Sequence, residues 1–146
     1  GTGAPTSLPL RLVGGDGSDL LRPGLGADEV FGGDDLDFVS YAGRAGGVSA
    51  DPDGLADDGA PGEGDRVGTD VEGAIGGEGP DVLESSPGAS SSVFAPVTVL
   101  VGNGGTDVLR LATPAETLFT QIRADGGAGR DELRGGAGSD ILPASM

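Results

Sequence analysis

Asp19, Asp28 and Asp37 stand nine residues apart, each at the sixth place of a glycine-rich turn, and the arrangement returns at Asp131 and Asp140. The first block reads GGDGSDLLR (14–22), PGLGADEVF (23–31) and GGDDLDFVS (32–40). The last reads GGAGRDELR (126–134) and GGAGSDILP (135–143), while GGEGPDVLE (76–84) and GNGGTDVLR (102–110) stand alone. Glycine at the first, second and fourth places lets the backbone curl through φ > 0, so that carbonyl oxygens converge and the aspartate adds a carboxylate to them. An all-oxygen set of six or more ligands suits Ca²⁺, whereas Mg²⁺ demands a tighter octahedron and keeps its waters. Pro23, Asp35 and Asn103 replace turn glycines; Asp35 costs backbone freedom but adds a carboxylate. The turns starting at 14, 76, 126 and 135 match the pattern fully, which makes Gly15, Gly17, Gly77, Gly79, Gly127, Gly129, Gly136 and Gly138 candidate metal-site residues beside the aspartates.

Seven copies of G-G-x-G-x-D-x-U-x, with U a large aliphatic residue, resemble the RTX (repeats-in-toxin, haemolysin-type) family of calcium-binding repeats found in many secreted bacterial proteins. The resemblance implies an all-β fold, a calcium-bound parallel β-roll or irregular β-solenoid. It also implies several Ca²⁺ ions, each between two stacked turns and taking carbonyls and one aspartate from each. The segment 41–75 departs from the nonapeptide. With the V-S-Y-A-G run that enters it and G-E-G-D…G-T-D-V-E near its close, it resembles an extension that often accompanies RTX repeats.

Composition points the same way. Leu, Val, Ile and Phe make 34 of 146 residues, a thin supply for a core, and Gly plus Pro make 41. Without periodicity that content would read as low-complexity chain. A net charge of −16 repels itself when compact, and bound cations relieve this while adding coordination, so folding and metal binding are expected to be one process. Eight Arg and no Lys argue against nucleic acid and anionic lipid, and no run approaches the ~18 apolar residues of a membrane-spanning helix. Absence of Cys and His removes disulfides, thiolate zinc and the commonest acid–base group. A start at Gly1 without Met suits a processed secreted protein or a trimmed segment.

The elements that position these turns are short strands, with no helical periodicity over eleven residues anywhere. Strands are expected near 37–42, 46–51, 70–75, Val97–Val101 and Leu118–Ala124, with a surface loop over Ser85–Pro96. Leu8, Leu10 and Leu12 alternate, and Leu12 lies nine residues before Leu21, so this segment forms a first rung. Leu21, Val30, Val39, Leu83, Leu109, Leu133 and Leu142 are expected to turn inward. We read one domain over 1–146: a first repeat block (1–40), an irregular acidic insert (41–75) and a second block with inserted strands (76–146). In a roll of two nonapeptides per coil, aspartates 18 apart stack on one edge, as Asp19 and Asp37 do. Intervals of 26 and 24 from Asp81 to Asp107 to Asp131 fit one coil with extra residues looped out. Asp57 or Asp58 divides the long interval from Asp37 to Asp81. The expectation is a single calcium edge of Asp19, Asp37, Asp58, Asp81, Asp107 and Asp131, with Asp28 and Asp140 opposite, in about seven coils at roughly 4.8 Å each.

The acidic insert (Asp51, Asp53, Asp57, Asp58, Glu63, Asp65, Asp70, Glu72) reads either as a further calcium site or as a solvated loop; it does not fit the EF-hand pattern. A P-loop needs G-K-[ST], and there is no lysine. With five aromatics, no His and no Cys, the residues give no sign of an enzyme. The functional expectation is a secreted, extracellular or cell-surface calcium-binding repeat protein with a structural or assembly role, including homo-oligomers or filaments through the open solenoid ends. Two alternatives stand beside it: a non-catalytic module of a larger exported enzyme, toxin or adhesin, and a ligand-binding module using the inserted loops. Only Ala144–Met146 follow the last repeat, shorter than the family's usual C-terminal export signal.

Overall fold

The computed structural model describes residues 8–85, 97–110 and 121–134, and these form strands and turns without a helix. One face of the structure is a five-stranded parallel sheet that runs through both repeat blocks. In spatial order it contains β13 (Gln121–Asp125), β10 (Val97–Val101), β8 (Gly73–Ile75), β4 (Phe38–Ser40) and β2 (Leu20–Leu21). The second face is built in two parts. β1 (Arg11–Asp16), β3 (Glu29–Asp34), β7 (Asp65–Val67) and β6 (Ala56–Asp58) form one sheet; β15 (Glu132–Arg134), β12 (Val108–Arg110), β9 (Val82–Glu84) and β5 (Ser49–Ala50) form the other. The antiparallel bridge Ser49↔Gly59 joins them. A two-stranded pair, β11 (Gly104–Gly105) with β14 (Ala128–Gly129), stacks the last two described turns. The chain alternates between faces, so the protein is a parallel β-roll.

Register follows the repeat. Leu12 pairs with Val30 and Leu21 with Val39, each an offset of one two-repeat coil. The through-going face continues Val39↔Ala74, Ala74↔Leu100 and Leu100↔Ala124. Those residues turn inward and, with Leu21, Val30, Val67, Leu83 and Leu109, make a core one side chain deep. Tyr41, Val48, Ala50 and Val71 close it through the insert. Leu12 and Leu133 pack against its ends, whereas Leu142 lies outside the described residues.

Three sequence expectations change. Leu8 and Leu10 do not join Leu12 on the core but stay 66% and 44% exposed, because β1 begins only at Arg11. The insert makes one further coil, not two: β5 runs forward, β6 returns antiparallel to β7, and β7 lies back beside β3. The through-going face holds five strands among the described residues. The expected single edge of six aspartates also divides. The turns of Asp19 and Asp37 enter the through-going face from β1 and β3, while those of Asp28, Asp81, Asp107 and Asp131 leave it toward β3, β9, β12 and β15. Two edges carry aspartates.

A core this thin predicts a steep cost for truncation. Leu109→Ala, at a fully buried position, is expected to destabilise the calcium-saturated protein by about 2–5 kcal/mol. Leu20→Ala, in the next residue to the core but 49% exposed, should change stability by less than about 0.5 kcal/mol. Denaturant unfolding in excess calcium measures both; equal losses would show that the single-file core is not what holds the coils.

Candidate metal centres

Each repeat aspartate reaches along the edge to the coil before it. The Asp19 backbone N–H donates to Asp37 Oδ1 at 2.8 Å, Asp81 N–H to Asp107 Oδ1 at 2.9 Å, and Asp107 N–H to Asp131 Oδ1 at 3.1 Å. Leu10 N–H donates to Asp28 Oδ1 at 2.7 Å and Val48 N–H to Asp81 Oδ1 at 2.8 Å. One oxygen of each of Asp28, Asp37, Asp81, Asp107 and Asp131 is thus spent on stacking. The second oxygen decides the chemistry of the turn.

In four turns that second oxygen has no partner. Oδ2 of Asp19, Asp37, Asp107 and Asp131 is buried without a hydrogen bond. These are the turns whose second and fourth residues take positive φ. The non-glycine cases make the point: Asp35 at 78° occupies a fourth place and Asn103 at 71° a second place. A side chain tolerates that conformation poorly, Asn and Asp best. The Asp folds back over the first glycine, where a Cβ on Gly14 would lie 2.7 Å from Asp19 Oδ2 and one on Gly32 would lie 2.6 Å from Asp37 Oδ2. A buried, charged, unpaired oxygen costs several kcal/mol unless a cation meets it.

The other two turns are closed. Asp28 Oδ2 accepts from Gly24 N–H at 2.6 Å and Asp81 Oδ2 from Gly77 N–H at 2.7 Å. Neither turn has a positive φ at its second or fourth place. In the first, Pro23 puts a ring where the aspartate would otherwise fold over glycine. In the second, the backbone of Arg44–Gly47 presses on Gly77 and Gly79, leaving no room for side chains there. The glycines at 77 and 79 are required by close approach, those at 15, 17, 127 and 129 by their φ of 110°, 92°, 82° and 146°.

Open turns stack on open turns twice. Residues 14–19 lie on 32–37, with Gly15 paired to Gly33, and residues 102–107 lie on 126–131, with Gly105 paired to Gly129. The two stacks sit on opposite edges. Gly136, Gly138 and Asp140 lie outside the described residues.

Asp58 departs from its expected place. It does not follow Asp37 on an edge; that place belongs to Glu72, whose Oε2 accepts from Asp37 N–H at 2.7 Å. Asp58 instead accepts from Asp51 N–H at 2.7 Å and Val67 N–H at 2.9 Å, inside the antiparallel return. Asp65 takes the place after Asp28, accepting its N–H at 2.8 Å and the Tyr41 hydroxyl at 3.0 Å. Glu72 and Asp65 were the ladder residues that nonapeptide counting missed. The insert is largely not a solvated loop: Asp70 accepts from Gly33 N–H and Glu63 pairs with Arg44. Carboxylate oxygens of Asp51, Asp57 and Asp58 lie within 4.8 Å of one another.

Against this geometry, residues 11–40 and 123–142, about a third of the chain, match the family profile of the RTX calcium-binding nonapeptide repeat in four copies. The chain carries RTX repeats, and those repeats bind Ca²⁺. No curated protein matches the chain. The donor set fits the ion: hard oxygens, glycine-lined turns and an orphaned carboxylate oxygen in each of four turns. We assign Asp19 and Asp37 with their turn carbonyls to one candidate centre and Asp107 and Asp131 to the other. A bound ion supplies charge neutralisation and coordination, and no reaction is implied.

Burial, more than neighbouring charge, raises the carboxyls of Asp37, Glu72, Asp81 and Asp107 above their usual range, and takes Asp65 up to about 6 and Asp58 up to about 8. Raised carboxyls bind more protons folded than unfolded, so their contribution is present below about pH 4 and is lost as pH rises through 6 and 8. In chelator, the urea midpoint of any folded metal-free protein is therefore expected to fall from pH 5 to pH 8. The same fall is expected in saturating calcium, from a higher midpoint, because Asp58 and Asp65 lie outside the two assigned centres. A chelated protein that gains stability toward pH 8 would contradict the burial of these groups.

Proposed function

We propose that this is an extracellular or cell-surface structural module whose folding is completed by Ca²⁺ at two turn stacks, one near each end of the described roll. The observation that carries the reading is the set of four buried aspartate oxygens without partners, in a chain of net charge −16. Outside cells calcium is millimolar, which matches the roughly 10⁻⁴–10⁻³ M affinities of extracellular calcium modules. Where calcium is scarce, the unmet carboxylates and the thin core favour an expanded chain, a form suited to export. The proposed role is structural, in keeping with a chain that has neither His nor Cys.

An assembly role has separate support. Among the described residues no further strand pairs with the outer edges of β1 and β2, and Leu8, Leu10, Val13, Leu20 and Leu25 are all exposed. Open strand edges are templates for further strands. The same edge suits attachment to a neighbouring domain of a larger exported protein.

Circular dichroism with and without calcium tests the function. A largely disordered spectrum in EDTA should turn to strand in millimolar CaCl₂, with little response to MgCl₂. Asp37→Asn and Asp107→Asn should each weaken the calcium midpoint several-fold. A strand spectrum of full amplitude in chelator would overturn calcium-completed folding, and light scattering that shows only monomer at high calcium would remove the assembly role.

A further inference from the structure

The closed turns leave a gap between the two calcium stacks, and a protein cation occupies it. Arg44 lies in the turn after β4, one coil beyond the 23–28 turn on the same edge. Its guanidinium donates to the Gly24 carbonyl through Nη2 and to both oxygens of Glu63 through Nη1, at 3.0 and 2.7 Å. It stands 5.2 Å from the Tyr41 ring centroid, and its own carbonyl accepts from Glu78 N–H at 2.7 Å. The side chains are 15% and 4% exposed, so this ion pair is buried. Gly24 holds the second place of its repeat, one of the turn carbonyls that the open turns offer to metal, and Asp28 Oδ2 is already held by Gly24 N–H.

We propose that Arg44 is a built-in cation that takes the place of a calcium ion at the 23–28 turn, making this repeat metal-free although its sequence carries the aspartate. Four oxygens that could meet an ion there are occupied: the carbonyl of Gly24 and a carboxylate oxygen of Glu63 by guanidinium, and both oxygens of Asp28 by N–H groups. A planar guanidinium suits this bridge because it reaches a carbonyl and a carboxylate together from one rigid fork. Arg44 thus keeps the 23–28 turn free of metal. The inference rests on the calcium reading of the open turns, and the test separates the two.

Bound calcium per chain is counted by equilibrium dialysis of the full chain, and the calcium midpoint of folding is read by circular dichroism. Asp28→Asn is expected to leave the ion count unchanged, while Asp37→Asn and Asp107→Asn each lower it by one. Arg44→Met leaves Glu63 buried without its cation, so the calcium midpoint should rise at least tenfold and the count should rise by one as an ion enters. Arg44→Lys should restore most of the midpoint. The double variant Arg44→Met, Glu63→Gln should restore it without the extra ion, a result that lost packing alone would not give. Loss of an ion in Asp28→Asn, or no change of count and midpoint in Arg44→Met, would overturn the proposal. Should Arg44→Met fail to fold at any calcium concentration, the Asp28→Asn count still decides. Unchanged counts in Asp37→Asn and Asp107→Asn would instead strike at the calcium reading itself.

Discussion

A carboxylate with two oxygens and two duties governs this structure. One oxygen accepts the backbone N–H of the preceding coil and holds the stack in register; the other points into a glycine-lined turn where no protein donor reaches it. The first duty buries the group, and burial makes the second oxygen expensive. The protein therefore cannot have its ladder without supplying positive charge at the turns. Where the turn is open, the function proposed above takes that charge from an ion in solution. Where it is closed, an N–H group swings in, and at the 23–28 turn Arg44 adds its own charge to the Gly24 carbonyl.

The insert follows the same rule with different residues. Asp65 and Glu72 accept the N–H groups that repeat aspartates would accept, so both edges of the ladder cross a segment with no nonapeptide in it. The through-going sheet does not notice the interruption, because Val39, Ala74, Leu100 and Ala124 keep register across it. The second face absorbs the extra chain instead, by letting β6 run backward between β7 and β5. A reversed strand inside a parallel roll has no periodic signal, since it needs only the turns around Gly59, Gly62 and Gly64, all at positive φ.

That explains what the sequence made legible. The spacing of 18 stacked Asp19 on Asp37, the intervals of 26 and 24 stacked Asp81, Asp107 and Asp131, and the aliphatic place of each described repeat marked the core. Strand Val97–Val101 has the bounds expected of it. Asp58 was misplaced because the long interval was divided by carboxylate type and distance, when the division is made by topology. The better signal was a half-coil: Glu72 lies nine residues before Asp81, which puts those two on opposite edges and makes Glu72 the successor of Asp37. Which turns are open was not legible at all. GGEGPD at 76–81 matches the repeat fully yet is closed by the Gly77 N–H, while GGDDLD and GNGGTD depart from it and are open.

The distribution of open turns gives the roll a particular mechanics. One stack lies on the edge where the chain enters the through-going sheet, the other on the edge where it leaves, and they bracket the closed turns and the buried Arg44–Glu63 pair. Each stack orders two coils on its own edge. The insert's coil packs against β3 and β4 on one side and β9 and β10 on the other, and contributes Tyr41, Val48, Ala50, Val67, Val71 and Ala74 to the core. Its stability therefore depends on those neighbours, as expected for stacked repeats whose energy is mostly shared at their interfaces. The fixed charge of the Arg44–Glu63 pair lies beside the join between the two blocks, which keeps its register through Val39, Ala74 and Leu100.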